Sequence, residues 1–266
     1  MGLFGKKKTE EEGPKKTGIF GDSVDYTVYE MSTLEKITGY LIGFGLVFLV
    51  IWVFFQSPLV AAVMGAILGF KAIGIYRNHL LDKRNKELIT QFRDLLESLS
   101  ISYSAGKNTN DAFSDAYNDL IQIYGEDEYI VKELKTILDG LSSNMNIEVM
   151  LKDFADRSGL EDVETFADVF EVSLRQGANI KNIIGTTRDV ICDKIDAQMD
   201  IRTILSGNQN ELNIMLVMPV IICFMLNMNG TLGGGVTVIG IATKIIAIGI
   251  FVAAYALGRK ITKISL

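Results

Sequence analysis

Residues 37–76 read ITGYLIGFGLVFLVIWVFF (37–55), QS (56–57) and PLVAAVMGAILGFKAIGIY (58–76). Two apolar runs, each close to the roughly 20 residues a membrane helix needs, are separated by a connector too short for anything but a tight reversal. Two more apolar runs follow at 212–228 and 236–257. The third is the weakest: its unbroken stretch covers only Ile214 to Leu226 and contains Pro219, and Gly233, Gly234 and Gly235 offer a turn into the fourth. The C-terminal pair reads as two full spans or as a re-entrant hairpin. None of the 58 charged residues falls in the connectors 56–58 and 227–235. Basic residues flank the opposite ends: Lys6, Lys7, Lys8, Lys15, Lys16 and Lys36 before the first run, Arg77, Lys83, Arg84 and Lys86 after the second, Arg259, Lys260 and Lys263 after the fourth. Lys and Arg in short loops stay cytoplasmic, so both termini and the central region are expected on the cytoplasmic side of a cell (inner) membrane. The expected fold class is all-α: a polytopic membrane protein with a duplicated cytoplasmic helical bundle between two transmembrane hairpins. Its segments are a flexible tail and interfacial stretch (1–32), a hairpin (33–76), the bundle (77–210), a second hairpin (211–258) and a short tail (259–266).

The net charge of −6 conceals an asymmetry, because residues 77–210 carry 15 Lys/Arg against 24 Asp/Glu, a net of −9. Phosphate binding draws on Lys and Arg, so nucleic acid is not an expected partner. The N-terminus lacks signal-peptide form: Glu10, Glu11 and Glu12 follow its basic cluster and the apolar run starts too late. Lys at position 6 breaks the myristoylation pattern. Cys192 and Cys223 lie far apart, which supports neither a disulfide nor a metal site. His79 is the only histidine and sits in a basic juxtamembrane stretch, so HExxH cannot occur, and Gly2 to Lys7 lacks the full phosphate-loop spacing. The expectation is a non-enzyme without catalytic residues, metal or cofactor.

Before the first run, Ser32 and Glu35 have capping-box spacing, which starts a helix near Thr33. Tyr26 and Tyr29 just upstream suit the headgroup level, or a local turn. The central region carries helical spacing at Phe92, Leu95, Leu96, Leu99 and Tyr103, and again at Phe166, Val169, Phe170 and Leu174. Ile130, Leu134, Ile137 and Leu138 mark another helix, read as closed by Gly140; Val149, Leu151 and Phe154 mark a fourth. A shift of 71 residues lays Ser102 to Asn108 on Ser173 to Asn179. Gly106 and Gly177 fall where a helix C′ residue takes positive φ. Asn108 and Asn179 fall where the next helix needs a cap. Each copy reads as a helical hairpin with a tight turn.

A helix ending in a small residue, Gly and a short capped turn, used twice between membrane runs, resembles the F-domain of type II secretion and type IV pilus platform proteins, here from about Asp94 to Ile191. The arrangement is similar to the tight-adherence (Flp) branch, as is the stretch from Asp25 to Glu35. The larger platforms carry the F-domain twice, for which this chain has no room. The resemblance implies an inner-membrane platform, coupling a cytoplasmic secretion ATPase to prepilin assembly, paired with a homologous platform protein or itself and embedded in membrane lipid.

Several residues stand out against that background. Lys71 lies five residues before Tyr76 and can snorkel to the headgroups. Lys244, about 12 Å beyond Val236 along a helix, either snorkels or contacts a carboxylate, a carbonyl or a prepilin helix. Glu211 borders the third run. Gly39 and Gly43, and Gly65 and Gly69, have GxxxG spacing, which lets helix backbones approach closely. The acidic stretches Glu126, Asp127, Glu128 and Glu161, Asp162, Glu164 are candidate ATPase contacts, or solvated helix starts. Two other classes fit parts of the pattern: a small transporter, through its intramembrane lysines, and a membrane sensor signalling through the bundle.

Overall fold

The computed structural model describes residues 18–21, 23–55, 57–175 and 180–228, with isolated positions between 246 and 258. These residues form helices α1 (Thr33–Phe55), α2 (Pro58–Ser104), α3 (Thr109–Tyr124), α4 (Tyr129–Ser142), α5 (Ile147–Ser158), α6 (Glu161–Arg175) and α7 (Ile180–Met228). No strand occurs among the described residues. The chain is all-helical, and α1 and α2 are long and apolar enough to cross a membrane. It divides into two compact units, one of residues up to Glu30 with Asn78–Asp196, the other of Met31–Arg77 with Ala197–Leu266.

The first unit is a helical bundle. Leu88, Phe92, Leu95, Leu96 and Leu99 of α2 meet Phe113, Ala116 and Leu120 of α3, Leu134 of α4, Phe154 of α5, Phe166 and Phe170 of α6, and Ile184, Ile191 and Ile195 of α7. Phe92 packs edge-on to Phe166 at 5.7 Å between centroids, and Phe113 packs against Phe170 at 6.1 Å. Each such side chain, fully buried, contributes about 1.5–3 kcal/mol of transfer free energy.

α2 ends at Ser104 and α3 starts at Thr109, while α6 is described to Arg175 and α7 from Ile180, with the residues between them outside the description. Burial keeps a 71-residue step: Phe92, Leu95, Leu96, Leu99, Ser102, Phe113 and Leu120 are buried, and so are Val163, Phe166, Ala167, Phe170, Ser173, Ile184 and Ile191. The first turn shows why the chain reverses. Gly106, at φ 80°, donates to the Tyr103 carbonyl and Lys107 to the Ser102 carbonyl, a Schellman closure. The Asn108 side chain then accepts the Asp111 amide at 2.9 Å and caps α3. Gly177 and Asn179, expected to repeat this, lie outside the described residues.

Gly140 does not close its helix. It lies inside α4, buried, and a Cβ there would come within 2.7 Å of the Met150 sulfur. The sequence cue was misread because a glycine that admits a close neighbour looks like one that ends a helix. α4 continues to Ser142, and the reversal falls to Asn144 at φ 59°.

Residues 18–21 and 23–30, expected as the end of a flexible tail and then a segment at headgroup level or in a local turn, lie in the bundle unit, with Tyr26 buried in its core and a local turn from Asp25 to Thr27. They have no regular structure and are held by side chains of α2, α4 and α5.

In the second unit, α1 and the first part of α2 form an antiparallel pair. Gly39 faces Tyr76, Gly43 faces Ala72 and Gly69, and Gly65 and Gly69 face Phe44 and Tyr40, so the numbering runs in opposite directions. A Cβ on Gly39 would stand 2.9 Å from the Tyr76 ring, and one on Gly43 would collide with the Ala72 methyl. Tyr40 meets Phe70 edge-on at 5.9 Å. The glycine sides thus allow backbone approach, in the manner of small-residue helix contacts, while Leu46, Leu59 and Phe70 are exposed.

Candidate functional site

The densest polar cluster in the bundle gathers around Arg157, the next-to-last residue of α5. Its side chain is only 2% exposed. It forms a two-pronged pair with Glu133 of α4 (2.8 and 2.6 Å) and a third bond to Asp153 one turn back (2.8 Å). A buried charge is tolerable only when paired and hydrogen-bonded, and here both carboxylates come from helix faces aimed inward. Burial works against the Arg157 charge, but the bonds to Glu133 and Asp153 outweigh it and hold the guanidinium above its ordinary value.

The strap of residues 18–30 completes this cluster. The Tyr26 hydroxyl donates to Glu133 at 2.9 Å, and the Tyr26 amide donates to the Arg157 carbonyl at 2.9 Å. Arg157 itself donates to the Val24 carbonyl at 3.0 Å, and the Ile19 amide to Asp153 at 3.0 Å. Burial first, then the negative charge and hydrogen bond of Glu133, push the Tyr26 phenol well above its ordinary value. On α2, Arg84 reaches the carbonyls of Tyr26 (2.8 Å) and Val28 (3.0 Å) and approaches that of Asp25 (3.5 Å). Its guanidinium lies over the Tyr26 and Tyr29 rings, 5.5 and 5.1 Å from their centroids. Asp25 accepts the Thr27 amide at 2.8 Å and hydroxyl at 2.5 Å, which fixes the local turn.

The acidic stretches divide between structure and surface. Glu128 accepts from Gln91 at 2.8 Å, and Gln91 in turn accepts the Ile130 amide at 3.1 Å, so Glu128 anchors the start of α4 to α2. Glu126 and Asp127 are exposed, Asp127 lying 3.3 Å from Lys132. Asp162 is buried and pairs with Lys194 of α7 at 2.8 Å, where Glu161 also reaches at 3.4 Å. Glu164 is exposed. Of the acids expected to meet an ATPase, Glu126, Asp127, Glu161 and Glu164 are exposed, Glu161 also reaching Lys194.

Beside the first turn, Lys107 and Ser102 both bond Asp115, and Lys181 at the start of α7 donates to the Ser104 carbonyl at 2.9 Å. The end of α2 and the start of α7 thus meet through that lysine. Lys71 is exposed on α2, and Glu211 is exposed on α7, which runs on through Pro219. Lys244 lies outside the described residues. Among the described residues, no three His, Cys, Asp or Glu side chains gather in a way that could hold a metal ion. Burial raises the Cys192 thiol above its ordinary value. A shallow open groove of about 400 Å³ runs beside α5 and α6, bordered by Ile19, Asn146, Lys152, Asp156 and Arg175.

The seat around Arg157 and Arg84 was not visible in the sequence. Its one available cue was Arg157 at an inward position of the helix marked by Leu151 and Phe154, since an arginine among core residues demands partners. No family model, curated protein or solved structure matches this chain.

Proposed function

We propose that the chain is a non-enzymatic membrane platform of the tight-adherence or type II secretion kind, multi-pass in a cell (inner) membrane with its bundle and termini cytoplasmic. It couples a cytoplasmic ATPase to pilin assembly. The observation that carries this reading is the 71-residue step in burial, from Phe92, Leu99 and Phe113 to Val163, Phe170 and Ile184, in a chain whose α1 and α2 are long and apolar enough to span a bilayer. The step supports a duplicated F-domain-like bundle. The charge-free connectors and one-sided basic flanks support the orientation. On this reading prepilin and lipid meet the apolar helices, while the ATPase meets the acidic bundle at Glu126, Asp127 and Glu164. A second platform protein or a second copy completes the assembly.

Deletion of the gene, followed by imaging of surface filaments and tracking of processed pilin, tests the reading. The expected result is loss of filaments with mature pilin retained in the membrane, reversed by the wild-type gene. Normal filaments in a strain without a second platform homologue would remove the proposal.

A further inference from the structure

The shallow groove beside α5 and α6 is acidic. Its border carries the carboxylates of Glu148, Asp153, Asp156 and Glu171 against the cations Lys152 and Arg175, an excess of two negative charges. Both cations are already engaged: Lys152 meets Asp168 of α6 at 2.6 Å, and Arg175 meets Glu171 at 2.7 Å. Asp153 holds Arg157 and the Ile19 amide. Glu148 is half-buried and Asp156 exposed, so both face water. Val149 and Ile19 add exposed apolar side chains to the same border.

The chain also reaches this border in a fixed direction. The Gly21 amide donates to the Gly18 carbonyl at 2.9 Å, closing a turn, and the Ile19 amide fastens that turn to Asp153. Gly18 is held closely: a Cβ there would collide with the Ser23 side chain and stand 2.9 Å from the Arg157 Nε. Immediately before it come Pro14, Lys15, Lys16 and Thr17. A chain spans at most about 3.6 Å per residue, so Lys16 and Lys15 lie within roughly 7 and 11 Å of Gly18. One exposed ion pair contributes little. The fixed turn changes the balance, because it keeps both ammonium groups at high effective concentration beside the acids. Residues 1–17 hold five lysines and three glutamates, a net of +2 that complements the groove. With a volume of about 400 Å³, the groove lies near the lower end of the roughly 300–1,000 Å³ of ligand sites. It has room for a few side chains rather than for a folded partner.

We propose that this groove is a docking site for residues 14–17 of the same chain, with Lys15 and Lys16 set against Glu148, Asp156 and Glu171. Docking ties the residues before Gly18 to the seam of α5 and α6, and it closes the groove to basic segments of other proteins. Lys6, Lys7 and Lys8, set apart by Glu10, Glu11 and Glu12, take no part. The docking is independent of the platform reading.

Two measurements on the full chain in lipid nanodiscs test this. A carbodiimide condenses a lysine amine with a touching carboxylate to an amide, the reagent taking up the water. In a mixture of isotopically light and heavy chains, peptides joining Lys15 or Lys16 to Glu148, Asp156 or Glu171 carry a single isotope. Joined peptides of mixed isotope would give the groove to a second copy, and no joined peptide would leave it unfilled; either result overturns the proposal. The second measurement is the rate at which acetic anhydride acetylates each lysine. A carboxylate beside an amine favours its unreactive ammonium form, so Glu148→Gln with Asp156→Asn raises acetylation of Lys15 and Lys16 about threefold. Lys6, Lys7 and Lys8 keep their wild-type rates, and helix content is unchanged. Glu148→Gln alone gives a smaller rise of the same sign and carries the test should the double variant lose helix. Lysines 15 and 16 that react at the wild-type rate in a folded variant would show that the segment does not dock.

Discussion

The bundle and the α1–α2 hairpin are built from the same kind of helix, yet they hide opposite residues. The bundle buries Leu88, Phe92, Leu99 and Phe166 and turns most of its charges outward. The hairpin hides Gly39 and Gly43 and turns out Leu59 at 77% and Phe70 at 74% exposure. Apolar burial drives association only where water is the alternative. Where the alternative is hydrocarbon, a large apolar side chain gains little by turning inward, and close backbone contact takes over. The inversion is therefore what the proposed bilayer placement of the hairpin requires. The bundle adds a feature that the described hairpin residues do not share: the enclosed ion cluster at Arg157, which can exist only because three partners surround it.

That cluster gives the largest expected effect. Arg157→Ala leaves Glu133 buried without its charge partner, which costs about 3–5 kcal/mol. Arg157→Met combined with Glu133→Leu removes the two most deeply buried charges, leaves Asp153 its bond from the Ile19 amide, and costs less than the single change. Hydrogen exchange of the bundle amides in nanodiscs reads both variants. Trp52 is the chain's one tryptophan and lies in α1, so its fluorescence reports the hairpin separately and stays at the wild-type value. A double variant as damaged as the single one would show that Arg157 acts through packing, not charge.

The inversion itself is tested by a matched pair of leucines. Leu99 is fully buried in α2, whereas Leu46 of α1 is 64% exposed. Leu99→Ala loses transfer energy and opens a cavity, for about 2–5 kcal/mol. On the proposed placement Leu46→Ala loses only contact with lipid, and its effect stays within about 0.5 kcal/mol, the range of ordinary surface changes. A Leu46→Ala loss comparable to that of Leu99→Ala would mean that a protein surface covers this face.

How much of this could be read beforehand depended on the range of the interactions involved. The helical content and the two long apolar helices follow from local composition, and the Gly106–Asn108 turn from side chains bonding three residues away. The glycine spacing of α1 and α2 is visible in the sequence, and the structure sets Gly43 against Gly69. The seat was not legible, because its bonds cross 107 residues between Tyr26 and Glu133 and 133 between Val24 and Arg157. Residues 18–30 carry no periodicity that could announce a partner. Asp162 misled for a related reason: acids at a helix start are ordinarily solvated, and only the fold brings Lys194 beside it.

The smallest effect concerns protons in the bundle. Tyr124 bonds Asp94, and burial together with that carboxylate pushes its phenol up to about 12. Tyr103 is also raised, chiefly by burial. A tyrosine in the unfolded chain ionises near pH 10. Between about pH 10 and 12 the unfolded chain releases a proton that the folded ring retains, so stability falls as pH rises through that window and is fully present below it. Tyr124 is only half-buried, and solvent screening reduces its share to on the order of 1 kcal/mol. Tyr124→Phe therefore flattens part of the alkaline decline in bundle protection, measured by hydrogen exchange corrected for intrinsic rate, and Trp52 emission in the hairpin stays level across the same range. An unchanged alkaline slope in Tyr124→Phe would assign the decline to Tyr26 and Tyr103, the other phenols that burial raises.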